Sequence, residues 1–203
     1  MDENLTEAVF ATGNENKMKE IRAICADLGI TVRSMKEAGI RCEIEENGST
    51  FLENALIKAR TVCSACGKMT LADDSGLVVD AMGGEPGIYS ARWMGENTSY
   101  RIKNAEIIKR LEGVPDEKRT ARFVCAIACV LPDGRELTAE GVFEGRIGYE
   151  EKGENGFGYD PIFFVPEFGC SSSELTPEMK NAVSHRGKAL AAMREKLETA
   201  LKL

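Results

Sequence analysis

The sequence is short of histidine, of long apolar runs and of basic surplus, and each shortage removes a class of function. His185 is the single histidine in 203 residues, so a zinc centre would lack the ligands such sites draw on. The longest apolar runs, such as Phe123–Leu131 and Pro161–Pro166, fall far short of the ~20 residues a membrane helix needs. Lysine and arginine number 26 against 33 acidic residues, a net charge of −7. A nucleic-acid polymer, which is bound through a basic face, is a poor partner for such a chain. Met1–Thr6 is acidic and polar, unlike a secretory or mitochondrial presequence, which points to a soluble, cytoplasmic protein with no membrane partner. There is no tandem repeat, low-complexity tract or Pro/Ser-rich linker. The Walker A pattern G-x-x-x-x-G-K-[ST] is missing too.

The seven cysteines are odd in number and scattered at positions 25, 42, 63, 66, 125, 129 and 170. A secreted disulfide framework would be even and packed into a shorter chain. Cys63 and Cys66 form a C-x-x-C, but at the far end of a helical pattern, where the dipole works against a thiolate. The cysteines therefore read as structural thiols.

Strands and helices can be read in alternation. Glu7–Thr12 reads as a strand, followed by Met18, Ile21, Cys25 and Leu28 at helical spacing, with Gly29 as the stop. Ile30–Ser34 is a second strand. Thr50 with Glu53 has the form of a capping box opening a helix, which buries Ala55, Ala59 and Val62 and runs to Cys66. Met69–Ala72 is a strand that ends on Asp73-Asp74-Ser75-Gly76, and Leu77–Ala81 continues extended. Thr98 opens a helix to Leu111 with Ala105, Ile108 and Leu111 inward. Arg119–Leu131 and Glu136–Ile147 flank Pro132-Asp133-Gly134 as a hairpin. A glycine-dense loop leads to Tyr159–Val165, Thr176-Pro177-Glu178 starts a helix, and Ser184 caps the last one, with Leu190, Met193, Leu197 and Leu201 inward. The pattern predicts a mixed α/β fold with a partly antiparallel sheet, as one domain or a tight pair of lobes.

Four segments carry chemistry. Thr12-Gly13-Asn14-Glu15-Asn16-Lys17 lies at a strand-to-helix junction, where backbone N–H groups and the helix dipole attract phosphate. An ordinary helix start with a solvated lysine is the plainer reading. Glu43, Glu45 and Glu46, with Asp73-Asp74 at a strand end, supply carboxylates from two segments, a set that suits Mg²⁺. The glutamates alone read as a solvated charge run. Gly156-Phe157-Gly158-Tyr159-Asp160-Pro161 places an aromatic between glycines, able to stack on a base or simply to fill the core. Ser184-His185-Arg186-Gly187 stands at a helix start four residues after Lys180, and adjacent Ser and His there make a poor nucleophile pair.

T-G-N-x-x-K, I-E-E-x-G-x-T-F-x-E-N-A-x-x-K-A, L-A-D-D-S-G-L, G-x-P-G-I-Y-S-A-R, G-F-G-Y-D-P-I-F and S-H-R-G-x-A-L occur in that order. Together they resemble the ITP/dITP/XTP pyrophosphatase family from about Val9 to Leu197. The resemblance implies hydrolysis of non-standard purine nucleoside triphosphates to monophosphate and pyrophosphate. It implies an elongated α/β body over residues 1–203, two lobes flanking a central nucleotide-binding cleft, and a homodimer. Carried onto this sequence, it puts Thr12, Gly13, Asn14, Glu15, Asn16 and Lys17 on the triphosphate and Glu45 with Asp74 on Mg²⁺. Asp74, Asp73 and Lys58 form the catalytic set, with Asp74 accepting the proton of the attacking water. Ser75 and Lys180 lie near the phosphates, while Phe157, Gly158, Tyr159, Asp160, His185 and Arg186 hold the base.

Phosphoanhydride hydrolysis asks mainly for positioning and charge stabilisation, which such residues can supply. Arg186 is donor-only and would match the 6-oxo group of hypoxanthine or xanthine, leaving the 6-amino group of adenine unmatched. A pyrophosphatase for another modified nucleotide, a phosphatase releasing orthophosphate and a non-hydrolysing nucleotide sensor remain alternatives. Four local carboxylates weigh against the sensor.

Overall fold

The computed structural model describes residues 7–26 and 28–201. The side chains of Glu15, Asn16, Glu20, Ala23 and Ile24 lie outside the described set. Among the described residues seven strands form one mixed sheet in the order β2-β1-β3-β4-β5-β6-β7. They are β1 (Glu7–Phe10), β2 (Thr31–Ser34), β3 (Met69–Val79), β4 (Thr120–Val130), β5 (Glu136–Ile147), β6 (Phe163–Val165) and β7 (Cys170–Ser171). The helices are α1 (Glu15–Ala26), α2 (Phe51–Cys66), α3 (Tyr100–Arg110), α4 (Pro177–Val183) and α5 (His185–Leu201). β1 runs parallel to β2 and to β3, whereas β6 is antiparallel to β5 and β7. Among the described residues no helix is long and apolar enough to cross a membrane.

The chain divides into two compact units. The first holds the segment up to Asp74, Cys125–Gly141 and the segment from Lys188. Its strands follow a strict alternation. Ala8, Phe10, Met69, Leu71, Cys125, Ile127 and Cys129 pack on Met18, Ile21 and Cys25 of α1 and on Leu190, Met193 and Leu197 of α5. Val9, Ala11, Ala72, Ala126 and Ala128 face Ala55, Ala59 and Val62 of α2. Side chains alternate across a strand, so each sheet face receives its own helices. The second unit, Ser75–Val124 with Val142–Gly187, buries Leu77, Val79, Ile107, Leu111, Phe123, Phe143, Ile147 and Phe163 together.

Three expectations change. The Asp73–Gly76 segment does not end a strand: β3 runs unbroken for 11 residues from Met69 to Val79, so both aspartates lie within the third strand of the seven. In α3 the buried face is Lys103, Asn104 and Ile107, with Leu111 after the helix, and Ala105 is exposed. Lys103 reaches the Ala91 carbonyl at 2.6 Å and Asn104 bonds two groups, so polar residues with fixed partners took the inner face. At α2, Thr50 accepts from the Glu53 N–H at 3.1 Å, but the Glu53 carboxylate binds the N–H and hydroxyl of Ser49, shifting the second half of the box by one residue. Two helix signals hold: Thr176 caps α4 with Pro177 in its first turn, and the Ser184 hydroxyl accepts from the Gly187 N–H at 3.1 Å; α3 instead opens at Ser99, one residue after the expected Thr98, whose hydroxyl donates to the Met94 carbonyl. All seven cysteines are free thiols.

Candidate active site

In the first unit, the turn between β1 and α1 is tied to itself. The Thr12 hydroxyl accepts from the Asn14 N–H at 3.2 Å, and the Asn14 side-chain oxygen accepts from the Lys17 N–H at 3.3 Å. Asn14 thus caps α1, a position that Asn fills as well as Ser or Asp. A Cβ at Gly13 would meet no atom within 4 Å, so the room that Gly13 leaves faces away from protein. The side chains expected here from Glu15 and Asn16 lie outside the described residues. Lys17 completes the turn by pairing with Asp73 at 2.8 Å.

Asp73 and Asp74 point to opposite faces of β3. Asp73, 2% exposed, lies on the α1 side with Lys17. Asp74 lies on the α2 side, where its Oδ1 is 3.4 Å from the Lys58 ammonium and its Oδ2 accepts from the Asn54 amide at 3.2 Å. Lys58 also donates to Glu46 at 2.9 Å. Asn54 and Lys58 stand one turn apart on α2, which puts both on the face that packs on β3. Asn54 is fully buried, and its Oδ1 accepts from the Gly48 N–H at 2.9 Å. One amide therefore anchors the acidic loop and orients Asp74. Asn54 is a residue the sequence reading missed, although it stands within the quoted E-N-A-x-x-K stretch. Glu45 is exposed beside Glu46.

The electrostatics follow from burial against charge. Burial lifts the Asp74 carboxyl above the ordinary aspartate range; Lys58 and Asn54 oppose the rise and Glu46 adds to it. Burial works against the Lys58 ammonium, but the charges of Asp74, Glu46 and Asp73 outweigh it and hold its pKa above the usual lysine value. Among the described residues no three His, Cys, Asp or Glu side chains gather as a ready metal cage. Mg²⁺ does not need one: it takes one or two carboxylates and leaves its other positions to water and phosphate. Asp74 and Glu46, both against Lys58, could supply two such oxygens.

In the second unit, Arg186 is 7% exposed and its Nη2 lies 3.4 Å from the Ser75 hydroxyl. His185 stacks on the Phe123 ring, with centroids 5.0 Å apart and planes 16° from parallel. Gly187 lets these two residues sit where they do. A Cβ there would come within 1.8 Å of the Asn181 carbonyl oxygen, so the close turn from α4 into α5 requires glycine. Phe157 is 46% exposed, with the Lys180 ammonium 5.3 Å from its ring centroid, whereas Tyr159 is buried. Its hydroxyl donates to the Ser90 carbonyl at 2.8 Å and its ring meets Tyr100 edge-on at 5.1 Å, so it anchors the loop from beneath. The Gly158 carbonyl accepts from Asn104 at 3.2 Å. Asp160 is buried with Lys180 on it at 2.5 Å, which places Lys180 in the aromatic loop. Asn104 and Ser172, also unforeseen, support this loop from neighbouring elements.

The sequence and the fold both match known proteins. The Ham1 family profile matches residues 8–196. A dITP/XTP pyrophosphatase from Geobacter sulfurreducens is 49% identical over 193 residues, covering 95% of this chain and 97% of that protein. Another from Bacillus subtilis is 46% identical, covering 96% and 98%. The Staphylococcus aureus Ham1 protein superposes with a TM-score of 0.89 at 39% identity over 96% of this chain and 99% of that one. A HAM1 protein from Coxiella burnetii gives 0.89 at 41% identity over 95% and 98%. With the family matched over almost its full length, the chain belongs to the Ham1 family.

Proposed function

We propose that this protein is a nucleoside triphosphate pyrophosphatase that hydrolyses dITP, XTP and ITP to the monophosphate and pyrophosphate. The observation that carries the chemistry is the half-buried Asp74, held between Lys58 and Asn54 beside Glu46. The substrate class rests on relatives named dITP/XTP pyrophosphatases that cover nearly the whole chain. Keeping such nucleotides out of DNA and RNA is the role the reading assigns, in the cytoplasm and as a homodimer.

On this reading Thr12–Lys17 receive the triphosphate at the start of α1, where N–H groups and the helix dipole favour anions. Asp73 holds Lys17 there. Asp74 orients the attacking water and takes its proton, a task for which a carboxyl lifted by burial is better matched than an ordinary aspartate. Lys58 stays charged between its carboxylates and offsets the negative charge of the reacting phosphates. Asp74 and Glu45 would hold Mg²⁺, with Glu46 adjacent. The ion, when bound, neutralises phosphate oxygens and lowers the cost of their crowding. Phe157 offers its exposed face to the purine, and Arg186 donates to the 6-oxo group, with His185 beside it.

The test is product identity. Incubation with ITP, dITP or XTP and Mg²⁺ gives monophosphate and pyrophosphate in equal amounts if the proposal holds. Diphosphate and orthophosphate would overturn it.

A further inference from the structure

Asp160 directly follows Phe157-Gly158-Tyr159 in a segment expected to hold the base. Its carboxylate is nonetheless committed inward. Oδ1 accepts from the Ser172 hydroxyl at 3.0 Å, both residues being buried. Oδ2 accepts from the Phe157 backbone N–H at 2.8 Å and from the Lys180 ammonium at 2.5 Å. The Lys180 nitrogen then stands 5.3 Å from the centroid of the Phe157 ring, within cation–π range. At Gly156, with φ of 78°, a Cβ would fall 2.4 Å from Asp160 Oδ2, so the loop closes around the carboxylate only because that position lacks a side chain.

We infer that Asp160 is a positioning residue: through the Phe157 N–H and Lys180 it fixes the angle and charge of the Phe157 face, without reading the base itself. The inference rests on the proposed function in that Phe157 is taken as the purine platform. A half-exposed phenylalanine on a glycine-rich loop loses ordering entropy each time it binds a flat ligand unless something fixes it beforehand. Asp160 does so with three charge-assisted bonds in a buried setting, the stronger class of hydrogen bond. Lys180 over the ring then gives the platform a positive rim. The purine ring and its 6-oxo group would sense this arrangement; a phosphate chain without a base would not.

The prediction separates these roles. Asp160→Asn keeps the shape but removes the charge that Lys180 needs, and Ser172→Ala is the milder companion should the first variant fold poorly. Hydrogen exchange at the Phe157 amide should speed up at least ~10-fold in Asp160→Asn, with β4 amides unchanged. KM for ITP should rise by about 10-fold with kcat within about threefold, while competitive inhibition by inorganic tripolyphosphate stays the same. Asp160→Asn added to Phe157→Ala should cost little more than Phe157→Ala alone. Three results would overturn the inference: an unchanged Phe157 exchange rate, equal weakening of tripolyphosphate, or losses that multiply in the double variant. If the wild-type protein leaves ITP uncleaved, the proposed function fails instead, and the exchange measurement still decides whether Asp160 fixes the loop.

Discussion

Asp73 and Asp74 are adjacent in sequence and serve opposite faces of one strand. Asp73 meets Lys17 of α1 at 2.8 Å, whereas Asp74 lies against Asn54 and Lys58 of α2. Two consecutive carboxylates, which would repel on one face, are thereby separated, and each receives its own lysine. On the proposed function the pair would also divide labour, Asp73 holding a phosphate-binding lysine and Asp74 handling water.

Substitution should expose that division. Asp74→Asn is expected to lower kcat by at least ~10³, since a metal ligand and a base are removed together. Its stability should move the other way. Because burial raises the folded-state pKa of Asp74 above 3.8, the protonated form favours folding, and that advantage is lost as pH rises through the raised value. Near neutral pH the variant should therefore melt above wild type. Below about pH 4 the gap should close. Thermal melts across pH check this, and a variant less stable at pH 7 contradicts it.

Asp73→Asn should show the converse, because it leaves Lys17 without its carboxylate. Partial hydration of the lysine limits the cost to about 1–3 kcal/mol. Turnover with saturating ITP should fall far less than in Asp74→Asn. Equal turnover losses in the two variants would place both aspartates on the reacting groups.

Asn54→Ala removes the amide shared by Asp74 and the Gly48 N–H. A loss of about 1–3 kcal/mol in stability is expected from two half-buried groups that each lose a hydrogen-bond partner. The Mg²⁺ concentration for half-maximal activity should rise as well, because the loop carrying Glu45 and Glu46 loses its tie to Asp74. Titration of activity with Mg²⁺ reads this directly, and an unchanged midpoint contradicts it.

Alkylation offers a check that needs no substrate. Burial pushes the Cys25 thiol up to about 12 and raises Cys129 further still. With thiolate scarce and access closed, neither should react with iodoacetamide in the native protein at pH 8, while half-buried Cys42 should. Peptide mapping that finds Cys25 modified before Cys42 would contradict this packing.

Much of this was legible in the sequence, and the failures share a cause. Periodicity found α1, α2 and α5 because apolar residues occupy their inner faces. It misjudged α3 because Lys103 and Asn104 are buried there by polar partners that lie far off in sequence. It broke β3 at Asp73 because a charged, glycine-ended segment reads as a turn, and the Lys17 and Lys58 partners that permit it as strand come from other elements. The motif residues stand out in the sequence, but which of them hold other side chains in place does not. Asp160 and Tyr159 sit in the same motif as Phe157, and only their buried hydrogen bonds separate support from contact.

Arg186 bears on the central claim, since its donor-only head would select the 6-oxo purine. Arg186→Ala should therefore erode the preference for ITP over ATP more than it weakens both. The most direct measurement is the ratio of kcat/KM for ITP to that for ATP in wild-type protein with Mg²⁺, scored by pyrophosphate release. A site that leaves adenine's amino group unmatched can reach ~10⁴–10⁵, and the ratio should exceed ~10². Equal values for the two nucleotides would contradict the account.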